Sequence, residues 1–283
     1  MKLFQLIKHL KSKYLTKKQK PQIKDIIKII EISINKKFIF WENQEEIGSE
    51  NLKTIEKICK MIFKLHFPIQ YIESIVKFGE LELIINPHTL IPRPETEILI
   101  EKVYQTIENY QLKEKFKKII LIDFGTGSGN MILLLLKKLK NTPLIPIGID
   151  ISFNTLQIAQ KNSIINNIPI ILLNHSDINI IKKTLSEQTL FILISNPPYL
   201  TKKEMKKELY FEPDNALLTP KKTFFYNQLI NFFIKNKIQN FLLFFEIDQK
   251  ALKKLAPKLK RNKINYRITP IQRKIFLLEI YKI

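Results

Sequence analysis

The sequence predicts an α/β protein with an open parallel sheet, preceded by a small helical segment. Residues 119–122 form an apolar, β-branched run, which is typical of a strand buried on both faces of such a sheet. Three glycines at a spacing of two follow this run, and residues 131–136 then form an apolar stretch. The order of strand, glycine-rich loop and helix, with strand-like runs downstream that lead into polar residues, indicates a ligand site at one sheet edge.

The first 72 residues have helical periodicity. Apolar residues recur at three- and four-residue spacing between Ile23 and Ile34, and again between Leu52 and Phe63. Residues 1–20 carry seven lysines among apolar residues, which predicts a first helix with a basic face. We therefore expect a small helical domain over residues 1–72, and its basic helices motivate the hypothesis that this domain recognises the substrate.

Residues 73–92 are expected to link this domain to the main α/β domain, which covers residues 93–283. The alternation over residues 75–85 predicts a short hairpin within the linker. A Leu-Ile-Pro-Arg-Pro-Glu-Thr-Glu segment follows, and Pro94 suits the first turn of a helix. Arg93 lies between two prolines, and this rigid frame aims its guanidinium at a nearby group.

Gly125, Gly127 and Gly129 form a G-x-G-x-G pattern, not the G-x-G-x-x-G pattern of dinucleotide-binding proteins. Glycines allow positive φ and let a ligand approach the backbone, while the start of the next helix offers unpaired N–H groups. The pattern therefore favours a nucleoside-type ligand whose amino-acid or sulfonium end lies over the loop.

Two acidic residues follow the next predicted strands, residues 144–149 and 170–173. Asp150 comes about 20 to 25 residues after the glycine loop, where a carboxylate suits a ribose diol. Asp177 can accept a hydrogen bond from an exocyclic amine, and Ile178 is expected beside the face of an adenine.

A fourth predicted strand, residues 191–195, runs directly into Asn196-Pro197-Pro198-Tyr199. Because ligands bind beyond the carboxyl ends of parallel strands, this motif and the glycine loop are expected to converge. The Asn196 side-chain oxygen and the Pro197 carbonyl oxygen can accept the two hydrogens of an –NH₂ group, and Tyr199 offers a flat wall. Positioning and fixed dipoles then suffice to methylate a carboxamide or a nucleobase amine, without a catalytic histidine or cysteine.

The formal net charge of the 283 residues is +21, from 47 lysines and arginines against 26 acidic residues. This favours an acidic or nucleic-acid partner, but only four of the basic residues are arginines, and isoleucine, asparagine and lysine are abundant throughout. We interpret the charge mainly as a chain-wide substitution bias. No run is apolar enough for a membrane span, and the single cysteine, Cys59, excludes a disulfide framework or a cysteine metal site. These features fit a cytoplasmic protein.

Several motifs together resemble those of the release factor glutamine methyltransferases: Asp-Phe-Gly-Thr-Gly-Ser-Gly, Asp150, Asn-Pro-Pro-Tyr and the Pro-Arg-Pro segment. The resemblance covers most of the chain. It implies a seven-stranded, Rossmann-like methyltransferase domain preceded by a small helical domain. It also implies methyl transfer from S-adenosyl-L-methionine to the glutamine side-chain amide in the Gly-Gly-Gln loop of class-1 peptide chain release factors.

The resemblance also implies roles for individual residues. The cofactor would contact the loop residues Gly125, Thr126, Gly127, Ser128 and Gly129, together with Asp150, Ile178 and Asn196, to which the strand-end argument adds Asp177. The substrate glutamine would be held by Asn196, Pro197, Pro198 and Tyr199. Arg93 and Glu97 are expected to brace this site, and no metal is expected in it.

The sequence departs from the family pattern at a few positions. Ser74 stands where glycine is usual, and Ile178 stands where an aromatic residue is common. Asp248 replaces a glycine, and the C-terminal hairpin keeps Arg273 but lacks its usual glycines. These departures concern loop geometry and cofactor affinity, not the class of reaction.

Two other functions stay open. N6-adenine methyltransferases of DNA or RNA use similar motifs, but the 84 residues after Tyr199 leave little room for the target-recognition region that base extraction normally needs. A decayed methyltransferase kept as a basic ribosome- or RNA-binding protein is the third interpretation, and the intact motifs argue against it. We expect a release factor as the partner, no stable nucleic-acid or membrane partner, and a monomer.

Overall fold

The computed structural model describes residues 1–15, 23–37, 46–110, 112–140, 142–184 and 188–282. The chain divides into two compact units, Met1–Glu73 and Ser74–Ile283. The hairpin that the sequence analysis treats as a linker lies within the second unit. Among the described residues, no helix is both long enough and apolar enough to cross a membrane.

The first unit is helical. Its helices are α1 (Leu3–Tyr14), α2 (Ile23–Ile34), α3 (Ser49–Leu65) and α4 (Ile69–Glu73). Their apolar faces meet in one buried cluster that includes Cys59, and burial raises the pKa of this thiol to about 12. The predicted first helix over residues 1–20 is therefore observed at α1, while residues 16–20 lie outside the described part of the chain.

The second unit contains a hairpin and a seven-stranded sheet. The hairpin strands are β1 (Ile75–Phe78) and β2 (Leu81–Ile84), and the sheet strands are β3 (Lys118–Phe124), β4 (Ile145–Asp150), β5 (Ile171–Asn174), β6 (Thr189–Ser195), β7 (Phe241–Asp248), β8 (Tyr266–Gln272) and β9 (Ile275–Lys282). The spatial order is β5-β4-β3-β6-β7-β9-β8, in which β9 runs in the direction opposite to the other six strands. The predicted seven-stranded fold is confirmed.

Helices cover both faces of this sheet. They are α5 (Pro94–Asn109), α6 (Leu112–Lys115), α7 (Asn130–Lys138), α8 (Phe153–Ile165), α9 (Asp214–Leu217), α10 (Phe224–Lys235) and α11 (Gln249–Arg261). Ile120 and Ile122 of β3 pack with α10 and α11, whereas Ile119 and Leu121 pack with α5 and α7. Because both faces are buried, the central strands are continuous apolar runs.

Strand order reverses between β3 and β6, which lie side by side with β4 on one flank and β7 on the other. The connection that follows β3 therefore leads to one side of the sheet, and the connection that follows β6 leads to the other side. Open α/β sheets bind their ligands at such a position, beyond the carboxyl ends of the strands. The fold thus places the candidate site after β3 and β6.

Asn162 of α8 connects the hairpin to the glycine loop. Its Oδ1 accepts a hydrogen bond from Ile84 N–H at 2.7 Å, and its Nδ2 donates to Ile84 O and Ser128 O, both at 2.9 Å. The Asn162 side chain is fully buried. Ser74, just before the hairpin, has a φ of 59°, a left-handed conformation that glycine adopts more easily. The hairpin is thus an integrated part of the second unit.

We expect Asn162→Ala to lower the free energy of unfolding by about 2 to 4 kcal/mol, because buried backbone groups lose their partner. Urea unfolding measures this change. Asn166→Ala is the matched control, since Asn166 makes similar bonds to the backbone of Glu82 on the solvent side of the same helix end. Equal losses for the two variants would contradict the special role of Asn162.

Candidate active site

The glycine loop between β3 and α7 is held against β4. Gly125 N–H and Thr126 N–H both donate to Ile149 O, at 2.8 and 3.0 Å. The loop glycines have φ values between 57° and 80°, a region that side chains other than glycine adopt only with strain. Nothing lies within 4 Å of the position that a Cβ of Gly125 would take. The loop therefore presents bare backbone beside open space.

Asp150 ends β4 next to this loop. Its Oδ2 accepts a hydrogen bond from Gly127 N–H at 3.0 Å, and its Oδ1 accepts one from Ser152 N–H at 2.9 Å. Burial raises the pKa of Asp150, and these backbone donors act in the opposite direction. A carboxylate oxygen can accept two hydrogen bonds, so Asp150 keeps acceptor capacity for a ligand hydroxyl.

A cavity of about 490 Å³ lies where the loop and the end of β6 meet. Eight predicted site residues line it: Gly125, Thr126, Gly127, Ser128, Asp150, Asn196, Pro197 and Pro198. Pro92, Arg93 and Thr96, from the Pro-Arg-Pro segment, also line it. Strands β3 and β6 are parallel neighbours, so their carboxyl ends bring the two motifs to one place.

Asp177 and Ile178 do not line this cavity. The Asp177 carboxylate accepts hydrogen bonds from Asn179 N–H (3.0 Å) and Asn179 Nδ2 (2.8 Å), and these donors lower its pKa. Ile178 is 1% exposed and packs in the core. His175 and Ser176 of the same segment line the cavity, and the adenine contacts expected of Asp177 and Ile178 stay a prediction.

Gly129 and Tyr199 are also outside the cavity lining. Gly129 occupies the N-cap of α7, where its N–H donates to Thr126 O at 2.8 Å. The Tyr199 ring lies 5.9 Å from Lys222 Nζ, and burial raises the pKa of its hydroxyl. The aromatic ring of Tyr199, expected to lie against the substrate, thus faces Lys222. The first three residues of the Asn-Pro-Pro-Tyr motif line the cavity.

Lys222 forms ion pairs with two carboxylates, one in the segment after the Asn-Pro-Pro-Tyr motif and one at the end of β7. Its Nζ lies 2.8 Å from Glu204 Oε2 and 3.1 Å from Asp248 Oδ2. Asp248 Oδ1 also accepts a hydrogen bond from Ala251 N–H at 2.7 Å, so it caps α11. Asp248, which stands where a glycine was expected, therefore caps α11 and pairs with Lys222.

Arg93 lines the cavity and is paired with Glu212. Its guanidinium pairs with Glu212 Oε1, and Ile91 N–H donates to Glu212 Oε2 at 3.0 Å. Glu212 is buried, so this carboxylate joins two segments that are 119 residues apart in the chain. The side chain of Glu97, predicted to act with Arg93, forms no hydrogen bond or ion pair with the described residues.

Sequence reasoning missed Glu246 and Thr96. Glu246 on β7 is 1% exposed, and its Oε2 accepts a hydrogen bond from Thr96 Oγ1 at 2.7 Å. Burial raises the pKa of Glu246 to about 7, although the Thr96 hydroxyl and the nearby Asn196 side chain act in the opposite direction. The sequence did contain a signal for Glu246, because it is a carboxylate within the apolar run of β7. Burying such a group is costly unless it is paired, so its presence there indicates a buried partner.

Comparison with known proteins identifies the family. Residues 94–212 match the family model of the methyltransferase small domain. A release factor glutamine methyltransferase of Flavobacterium psychrophilum is 35% identical over 215 residues, which cover 74% of this chain and 72% of that protein. This chain belongs to the release factor glutamine methyltransferase family.

Other members of the release factor glutamine methyltransferase family are similar. One from Buchnera aphidicola subsp. Acyrthosiphon pisum is 36% identical over 184 residues, 61% of each chain. The solved N-terminal domain of human METTL16 in complex with SAH has a TM-score of 0.52 at 14% identity, covering 96% of this chain and 97% of that one, and shows the fold alone. The present member is an S-adenosylmethionine-dependent methyltransferase.

Proposed function

We propose that this enzyme methylates the side-chain amide nitrogen of the glutamine in the Gly-Gly-Gln motif of class-1 peptide chain release factors. The named activity of its relatives supports this substrate. The observation that carries the proposal is the convergence of Asn196 and Pro197 with the glycine loop and Asp150 around one cavity. The proposed substrate places the reaction in the cytoplasm, and recognition of the release factor by the helical unit stays a prediction.

The cavity residues fit S-adenosylmethionine. Asp150 has acceptor capacity for ribose hydroxyls, and the bare backbone at Gly125 lines the cavity together with Asn130 and Met131, the first residues of α7. The volume of about 490 Å³ is in the range of small-molecule sites. When bound, S-adenosylmethionine supplies an electrophilic methyl carbon on a positively charged sulfur.

Asn196 and Pro197 act on the substrate nitrogen. The Asn196 Oδ1 and the Pro197 carbonyl oxygen accept its two hydrogens, and Pro197 has no N–H that would compete. These acceptors orient the nitrogen and offset the positive charge that it gains together with the methyl group. The nitrogen then releases one proton to water, because a methylated amide cation is strongly acidic. This chemistry requires no general base from the protein.

The direct experiment is methyl transfer from labelled S-adenosylmethionine to a purified class-1 release factor. A release factor with alanine in place of the Gly-Gly-Gln glutamine is the matched substrate control. Label on the intact factor alone would support the proposal. An intact factor that stays unlabelled, or equal label on both factors, would refute it.

Methylation of an adenine amine in nucleic acid is the second candidate, and the net charge of +21 favours it. An adenine amine presents the same two hydrogens to Asn196 and Pro197. DNA and ribosomal RNA are therefore assayed beside the release factor under the same conditions. Label on nucleic acid, and none on protein, would make the adenine amine the substrate.

A further inference from the structure

Glu246 lies beside Asn196 because of the strand register. Ser195 of β6 pairs with Phe245 of the parallel strand β7, so the residues that follow, Asn196 and Glu246, are neighbours at the carboxyl ends of the two strands. The Asn196 side chain lies close enough to the Glu246 carboxylate to lower its pKa. A buried carboxylate thus lies beside the proposed substrate-holding residue but does not itself line the cavity.

The other contacts hold Glu246 in one place. Thr96, in the first turn of α5, donates from Oγ1 to Glu246 Oε2 at 2.7 Å. Tyr226 of α10 donates from its hydroxyl to the backbone oxygen of Glu246 at 2.9 Å. Because both bonds come from helices on the two faces of the sheet, neither the strand end nor the carboxylate is free to turn.

An ionised carboxylate is only an acceptor, so it requires the Nδ2 group of Asn196 on its side. The Asn196 Oδ1 is then turned away from Glu246. We propose that Glu246 is a positioning residue that selects this orientation of the Asn196 amide and so makes Oδ1 available as an acceptor for the substrate –NH₂. The inference rests on the proposed function, in which Asn196 holds the nitrogen that is methylated.

Protonation of Glu246 would work against this orientation. A neutral carboxyl has an O–H donor that can pair with Asn196 Oδ1 and allow the amide to turn over. The pKa of Glu246 is raised to about 7. Burial is the largest cause and Glu95 acts in the same direction, while the Thr96 hydroxyl, the Asn196 side chain and the charge of Arg93 lower it. Tyr199, Tyr226 and Asp248 are the other titratable groups near it. Since the ionised form is the competent one, kcat rises as pH increases through about 7.

The test compares Glu246→Gln with the wild-type chain. We expect kcat for the release factor to fall by about 10- to 100-fold, because the amide orientation is no longer imposed. The KM for the release factor and the dissociation constant for S-adenosylhomocysteine change by less than about threefold, and the rise of kcat near pH 7 becomes smaller because the contribution of Glu246 is lost. Glu279→Gln is the matched control: Glu279 is a buried carboxylate on β9 that contacts Tyr110 and Arg267, and this variant keeps the wild-type profile.

Thr96→Val tests the same network without changing the carboxylate. It removes one donor to the ionised form, so the pH midpoint of kcat moves upward. An unshifted midpoint in Thr96→Val, or a wild-type kcat and pH profile in Glu246→Gln, would overturn the inference. A fall in kcat matched by equal losses of thermal stability and cofactor affinity would also overturn it, since that is a merely structural role.

Nuclear magnetic resonance separates this inference from the proposed substrate. In protein labelled with ¹⁵N-asparagine, the Asn196 Nδ2 signal, assigned by its loss in Asn196→Ala, is expected to titrate with a midpoint of about 7 in the wild type. The same signal is expected to show no such titration in Glu246→Gln. This readout needs no substrate, so it holds even where the release factor is not methylated. An Asn196 Nδ2 signal with the same chemical shift in the wild type and in Glu246→Gln would contradict the inference.

Discussion

Replacing Asn196 with alanine is expected to lower kcat for methyl transfer by about 10²- to 10³-fold, which is typical for loss of one preorganised polar group at a reacting centre. Asn196 follows β6 directly and lines the cavity beside the glycine loop. Its Oδ1 is one of two proposed acceptors for the hydrogens of the substrate nitrogen. Without it, the nitrogen keeps only the Pro197 carbonyl and turns freely about that contact.

The measurement is single-turnover methyl transfer with saturating substrate, alongside calorimetric binding of S-adenosylhomocysteine. The dissociation constant for that ligand should change by less than about fivefold, because the loop and Asp150 are intact. Asn236→Ala is a suitable control, since Asn236 only caps the end of α10. If Asn196→Ala retained full turnover, the proposed amide-holding role would be wrong.

Replacing Asp150 with alanine is expected to weaken binding of S-adenosylhomocysteine by about 30-fold or more, because hydrogen bonds to a charged group are worth about 1.5 to 3 kcal/mol each. The loss has two physical sources. The ribose hydroxyls lose their acceptor, and Gly127 N–H loses the carboxylate that holds the loop against β4. Calorimetric titration of the variant against the wild type measures the change directly.

Asp177→Ala provides a discriminating comparison for this second result. Sequence reasoning assigned Asp177 to the cofactor, whereas the structure turns its carboxylate to Asn179 and leaves it outside the cavity. We therefore expect binding by Asp177→Ala to stay within about threefold of the wild type. Comparable weakening in the two variants would restore the role for Asp177 that the sequence suggested.

Local patterns were sufficient for much of this protein. The β-branched run before Gly125 predicted β3, and the apolar stretch after the loop predicted α7, since burial on both faces of a sheet leaves a continuous apolar signature. Asn-Pro-Pro-Tyr was correctly placed at the end of β6. The structure places Ile178 in the core, which the sequence could not show, because a single apolar residue after a strand looks the same whether it faces a ligand or the core.

The sequence by itself determined the fold class, the family and the two motifs that meet in the cavity, because each is written in a short stretch with its own spacing. Only the tertiary structure showed which buried carboxylates pair with residues distant in the chain and lie beside these motifs. Thr96 and Glu246 are 150 residues apart, and Ile91 and Glu212 are 121 apart. No local period links such positions, because strand order and helix packing alone bring them within hydrogen-bond distance.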